Sequence, residues 1–150
     1  QDGDFVTMDF GAMLDGYHSD MTRTVCVGQP SEEMKLVYEI VRQAQDAARE
    51  SAKPGISAKD LDAVARDLIT EAGYGENFGH SLGHGVGLEI HEYPVASMAN
   101  SEILESGNVV TIEPGIYLPG KFGVRIEDFV HITKNACENL TNITNTLICV

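Results

Sequence analysis

The 150-residue sequence has no tryptophan, three cysteines, and only 10 Lys and Arg against 23 Asp and Glu, a formal charge of −13. The shortage of basic residues argues against a phosphate-backbone partner, because nucleic-acid binding relies on clustered Lys and Arg that release counterions. Cations are the guests such a chain invites. It has no apolar run long enough to cross a bilayer, and 43% hydrophobic with 22% charged residues excludes a disordered chain. A globular protein with no membrane partner is expected, as one domain or a piece of one. Cys26, Cys137 and Cys149 lack CxxC or CxxH spacing, and an odd number cannot pair fully within one chain. Reduced, mostly buried thiols are therefore expected; the setting is read as cytoplasmic. No charged stretch followed by an apolar one opens the chain, and Gln1 is not an initiator methionine, so the start is expected to be a processed or truncated end. Two glycosylation triplets, beginning at Asn139 and Asn142, stand without any other sign of secretion. There is no repeat, low-complexity tract or linker.

What is present is a clear succession of elements. Phe5 to Phe10 and Tyr17 to Val27 are apolar, Thr- and Val-rich runs around the turn-prone Asp15-Gly16, which predicts a two-stranded hairpin. Pro30-Ser31 breaks the strand and caps a helix over about 31–52, in which Met34, Val37, Ile40, Val41, Ala44 and Ala48 recur at helical spacing. Lys53-Pro54-Gly55 ends it. Ser57 with Asp60 starts a second helix whose apolar positions are Leu61, Val64, Ala65, Leu68 and Ile69, and Gly73 stops it. From Gly73 to Pro94, six glycines and three histidines predict close-packed loop and strand. Asn108 to Leu118 and Val124 to Thr133 read as strand, turn and strand, and Thr146 to Val150 as a last strand. A strand pair, two helices and then several strands predict an α+β fold rather than alternating βαβ units.

Several carboxylates interrupt strands that should be buried: Asp9, Asp20, Glu113 and Glu127. Burying an ionised carboxylate costs several kcal/mol unless a cation or good donors compensate, so a converging set would need metal ions. His84, in the glycine-rich stretch, would add an imidazole. Four oxygen ligands and one nitrogen are too many for one tetrahedral zinc and suit two divalent ions bridged by shared carboxylates and a water. Taken singly, each residue also fits a plain reading: a turn or edge aspartate, a hydrogen-bonded loop histidine, a solvated glutamate before proline. Spacing alone does not bring them together in space.

The segments MDFGAMLDGYHSDMTRT, GHSLGHGVGLEIHE, TIEPGIY and GVRIED, in that order, resemble the motifs of the proline-specific pita-bread metallopeptidases, aminopeptidase P and prolidase. The resemblance runs from about Gly3 to Thr141 and implies an α+β pita-bread fold that is incomplete at its N-terminal side. Residues 1–150 would then be the C-terminal portion of one catalytic domain. It implies that Asp9, Asp20, His84, Glu113 and Glu127 are the metal ligands, with Asp20 and Glu127 bridging. It further implies that His80 and His91 hold substrate and stabilise charge on the scissile carbonyl oxygen, and that Arg125 orients the site or contacts substrate. Arg125 could equally only brace the carboxylates by ion pairing. Tyr117 is a candidate substrate contact for which core packing is an equal alternative. Glu113 would shuttle the proton, and two dications would lower the pKa of a bridging water.

The implied activity is hydrolysis of the peptide bond before proline, on a peptide with proline at its second position. Mn²⁺ is preferred as the cofactor, with Co²⁺, Zn²⁺ or Fe²⁺ as alternatives, because mostly oxygen ligands suit harder ions. Methionine aminopeptidases share the fold and ligand types, but DMTRT, Gly115, Tyr117 and Arg125 favour the proline branch. Creatinase-like hydrolases and non-catalytic peptide-binding relatives are further readings, the latter typically having lost ligands that this chain keeps. The resemblance implies an upstream half, with another substrate-facing histidine, that would precede Gln1. An exposed apolar face and a free sheet edge are therefore expected, open to the missing half or to a second copy.

Overall fold

The chain reverses where its turn residues stand. The computed structural model describes residues 1–150. Strand β1 (Phe5–Phe10) leads into the short β2 (Met13–Leu14), and Asp15 at φ 51° with Gly16 at φ 88° turns the chain into β3 (Tyr17–His18). Positive φ at both positions suits the twist of a two-residue hairpin turn. β4 (Met21–Cys26) then runs back along β1, from Phe10 opposite Met21 to Phe5 opposite Cys26. The run Tyr17–Val27, expected as one strand, is broken at Ser19 and Asp20.

Helix α1 (Glu32–Ser51) starts at Ser31, whose hydroxyl accepts the Met34 N–H at 3.2 Å; α2 (Ala58–Glu71) starts at Ser57, which accepts from Asp60 at 3.0 Å. Both caps satisfy N–H groups that have no partner inside the helix. The helices pack together through Val37, Val41, Ala44, Leu61, Ala65 and Ile69, all fully buried, against Ile112, Ile116, Ile126 and Ile132 from the strands.

After a single 3₁₀ turn (Gly75–Asn77) come β5 (Gly83–Gly85), β6 (Glu92–Ala96), β7 (Val109–Ile112), β8 (Gly115–Leu118), β9 (Phe122–Arg125), β10 (Asp128–Ile132) and β11 (Cys137–Asn139). Five of them form an antiparallel sheet in the order β11-β10-β7-β5-β6, while β8 and β9 pair separately. The two long apolar runs of the sequence are each cut in the middle, at Glu113-Pro114 and at Ile126-Glu127, where the chain passes from one sheet to the next. The glycines beside His84 answer a steric need. A Cβ at Gly83 would lie 2.0 Å from the Thr111 carbonyl oxygen, and one at Gly85 would lie 2.4 Å from that of Tyr93.

The chain end differs from expectation. Thr146–Val150 forms no strand beyond an isolated parallel bridge between Cys149 and Cys26, whereas the short β11 had no strand-like sequence. The three thiols are free as expected, but only Cys26 is buried; Cys137 is half-buried and Cys149 exposed. The expected apolar face is present. Val6, Met8 and Phe10 of β1, with Met13, Leu14 and Tyr17 beyond it, are exposed, and β1 has β4 as its one strand neighbour. No helix is long and apolar enough to cross a membrane.

A buried ion pair ties these parts together. Arg23 on β4 donates to Asp128 Oδ1 at 2.6 Å, to the carbonyls of Thr22 and Glu127 at 2.9 and 2.6 Å, and to those of Ile143 and Thr144 at 2.7 and 2.8 Å. Those bonds use every N–H of the guanidinium. Asp128 Oδ2 accepts from Gln45 of α1 and from Asn139 of β11. Replacing Asp128 by alanine leaves Arg23 charged, buried and unpaired, and should cost about 3–5 kcal/mol in urea denaturation. Removing Lys35 from its exposed pair with Glu32 should leave the urea midpoint nearly unchanged, because solvent screens such pairs.

Candidate metal centre

Each break in strand pairing delivers one acidic side chain to a common space. Asp20 precedes β4, Glu113 follows β7, Glu127 sits between β9 and β10, and Asp9 projects from β1. The two halves are joined in register by the Glu127 N–H, which donates to the Thr22 carbonyl at 3.0 Å. His84 is the central residue of β5. These five side chains line a cavity of about 480 Å³ together with His80, His91 and Arg125, and Val95 is its sole apolar wall residue.

Ligand atoms of Asp20, His84 and Glu127 all lie within 4.8 Å of one another. His84 Nε2 is 3.3 Å from Glu113 Oε1 and 3.7 Å from Asp20 Oδ2. Its Nδ1 faces the Gly85 carbonyl at 3.0 Å, and since a carbonyl can only accept, Nδ1 carries a hydrogen, which leaves Nε2 as the nitrogen turned towards the acids and open to a cation once it is deprotonated. Metal-binding histidines are commonly oriented in this way, with the second nitrogen donating to a carbonyl. Asp9 faces the same cavity but is half-exposed and ion-paired with Arg125 Nη2 at 2.5 Å.

Two threonines that the sequence reading did not single out hold the acids in place. The Thr22 hydroxyl donates to Glu127 Oε2 at 2.5 Å, and the Thr111 hydroxyl donates to Glu113 Oε1 at 2.9 Å while accepting the His84 N–H at 3.0 Å. Each stands two residues from an acidic ligand candidate along its strand, Asp20 or Glu113, so strand periodicity was the signal that could have found them.

The other predicted site residues form a second row. Tyr117 does not line the cavity; its hydroxyl lies between Arg125 Nη1 and His80 Nε2, 3.0 Å from each. Arg125 is a pure donor, so the tyrosine hydrogen goes to His80 Nε2, and His80 Nδ1 donates to the Ser81 carbonyl at 2.8 Å. Arg125 also reaches the Thr22 hydroxyl with Nε at 3.2 Å, so it braces the acids as well as facing the cavity. The His91 ring lies 4.3 Å from that of His84, centroid to centroid.

Crowding of like charge shows in the proton affinities. Burial first, then Glu113, pushes Glu127 from 4.5 up to about 8, against the lowering effect of the Thr22 bond. Burial and then Asp9 raise Asp20 above its ordinary value. For His84, burial favours the neutral ring, but the Glu113 bond, the Gly85 carbonyl and nearby acids outweigh it and raise its pKa. Protons are thus retained where positive charge is wanted. The donor set of four carboxylates and one oriented imidazole fits hard or borderline divalent cations.

The sequence pattern described as Metallopeptidase family M24 matches residues 1–134. An Xaa-Pro dipeptidase from Pyrococcus horikoshii is 57% identical over 146 residues, which are 97% of this chain and 42% of that one. The crystal structure of the prolidase from P. horikoshii superposes with a TM-score of 0.96 over 97% of this chain and 42% of the other, at 57% identity. That of an X-Pro aminopeptidase from Thermotoga maritima superposes at 0.96 over 99% and 42%, at 51% identity. The chain spans about two fifths of the length of these relatives.

The raised acids set the sign of a pH effect. An acid whose pKa is higher folded than unfolded contributes stability below its unfolded value and loses it as pH rises through the folded one. For Glu127 that window is 4.5 to about 8, and the raised Asp20 and His84 act in the same direction. The melting temperature of EDTA-treated protein should fall between pH 5 and 8, with a smaller fall in Glu127→Gln. Saturating Mn²⁺ should offset it, because cation binding strengthens as ligands deprotonate. A metal-free melting temperature that rises over this range would contradict the assignment.

Proposed function

We propose a function from one premise: the chain belongs to metallopeptidase family M24. The function is hydrolysis of the peptide bond before proline, on a dipeptide or at the N-terminus of a longer peptide. The observation that carries it is the meeting of Asp20, His84 and Glu127 within 4.8 Å, with Glu113 3.3 Å from the same imidazole. Asp9, Asp20, His84, Glu113 and Glu127 would hold two divalent ions, with Asp20 and Glu127 shared between them and Mn²⁺ preferred for mostly oxygen donors. Bound there, the ions supply Lewis acidity and a water acidic enough to deprotonate near neutrality.

The chain's own residues do the rest. Glu113 takes the proton of the attacking water and returns it to the proline nitrogen as the bond breaks. The Thr111 hydroxyl keeps Oε1 of Glu113 oriented, which leaves Oε2 for the proton. His91 donates to the oxygen on which negative charge develops, and a donor already aimed at that oxygen needs no reorganisation during the reaction. His80 holds substrate from the neighbouring wall, and Tyr117 sets its ring. Arg125 pairs with Asp9 at the cavity and holds its carboxylate in place. Three free thiols suit a reducing, cytoplasmic setting.

A second reading, a peptide- or partner-binding protein without turnover, is favoured by the exposed apolar residues of β1. The apolar row is where the remaining length of such relatives, or a second copy, would pack. The Mn²⁺-loaded protein should hydrolyse Ala-Pro or Ala-Pro-Ala and leave Met-Ala-Ser intact. The reverse preference would assign it to the methionine branch, and metal uptake without turnover would favour the binding reading. Asp20→Asn should reduce bound metal below two ions per chain by elemental analysis. His91→Gln should keep both ions and lower kcat about 10²-fold; loss of metal instead would make His91 structural.

A further inference from the structure

Asp62 lies in the middle of α2 with no exposed surface, where an ionised carboxylate persists only with a close cation and well-satisfied hydrogen bonds. Arg66, one turn later, meets it as a fork: Nε to Oδ2 at 2.6 Å and Nη2 to Oδ1 at 2.9 Å. A pair four residues apart on a helix needs no third partner. This one has three, all in a single loop. Arg66 Nη1 donates to the Phe78 carbonyl at 2.9 Å, Nη2 donates to the His80 carbonyl at 2.7 Å, and Asp62 Oδ1 accepts the Leu82 N–H at 3.0 Å. The guanidinium also lies 4.1 Å above the centre of the Phe78 ring.

The loop needs such support. Between the 3₁₀ turn and β5 its backbone belongs to no sheet, and buried or half-buried peptide groups must find partners elsewhere. His80 and Ser81 separate two cavities, the metal cavity and a second one of about 680 Å³ lined by Arg66, Phe78 and Met98. A segment with open space on both sides is set by whatever grips its backbone. The grip also extends towards the acids: the Leu82 carbonyl accepts the Glu113 N–H at 2.8 Å, and His84 follows two residues later. Arg66 is not an anion clamp for the second cavity, because its bonds to Asp62, Phe78 and His80 occupy four of its five N–H groups.

We infer that Asp62 and Arg66 are a positioning pair which fixes the His80 imidazole at the metal cavity by holding residues 78, 80 and 82 from α2. Neither residue lines that cavity, so both act through the loop. The consequence for turnover rests on the peptidase reading, while the geometric claim does not.

Arg66→Lys keeps the charge beside Asp62 but lacks the planar fork that spans two carbonyls. The direct readout is a long-range ¹H–¹⁵N spectrum of the imidazoles in the metal-free chain, well below its melting temperature. The wild type should show His80 as a single Nδ1–H tautomer, and Arg66→Lys should show averaged His80 nitrogen signals. Where the wild type cleaves Ala-Pro, kcat/KM should fall at least tenfold with metal content unchanged. A lower melting temperature with unaltered His80 signals and unaltered kcat/KM would reduce the pair to a stabilising contact and overturn the inference. Asp62→Asn, which still offers Leu82 an acceptor but loosens the fork, gives the same readout should Arg66→Lys fail to fold. A wild-type chain that cleaves no Xaa-Pro peptide would count against the peptidase reading alone, and the imidazole spectrum would still decide the positioning.

Discussion

Arg23 uses all of its N–H groups to bind β4, β10 and the chain between Ile143 and Thr144 into one unit. Through Asp128 the same cluster reaches α1 at Gln45 and β11 at Asn139. The position of the candidate metal centre depends on this clasp, because Arg23 is three residues from Asp20 and Asp128 is next to Glu127. With β4 locked to β10, the two most buried acids of the site face each other across the Thr22–Glu127 bridge. A buried pair with every hydrogen bond filled is expensive to break and hard to reposition, which makes it a reference point for softer parts of the molecule.

The site built on that clasp has a charge problem that its own residues only partly solve. Arg125 neutralises Asp9, the threonines Thr22 and Thr111 lend hydroxyl donors, and Glu127 and Asp20 respond by holding protons more tightly than usual. Carboxylates at the ends and interruptions of strands can be crowded in this way because the neighbouring strands supply rigidity that loops would not. The same principle explains the glycines around His84. Only a residue without a side chain lets β5 approach β6 and β7 closely enough to present the imidazole among the acids.

Much of the fold was readable along the chain. Ser31, Ser57 and Gly73 mark helix ends by hydrogen-bonding and conformational rules that operate within a few residues. Asp15-Gly16 marks a turn for the same reason. The strand break at Glu127 was not readable as a break, since β-branched and apolar residues continue on both sides of it, whereas Pro114-Gly115 behind Glu113 was a breaker signal within a run read as strand. β11 was missed because its pairing with β10 rests on backbone register rather than on strand-forming side chains.

The sequence by itself determined the helix spans, the α+β order, and the kinds and order of the acids and histidines from which a cation site could be made. Only the tertiary structure decided that Asp20, His84 and Glu127 converge, that Arg125 answers Asp9, and that Asp62 and Arg66 reach the histidine loop. Local rules extend over a few residues, whereas these contacts join groups up to 116 residues apart and depend on strand register, where a shift of one position would turn every side chain to the opposite face.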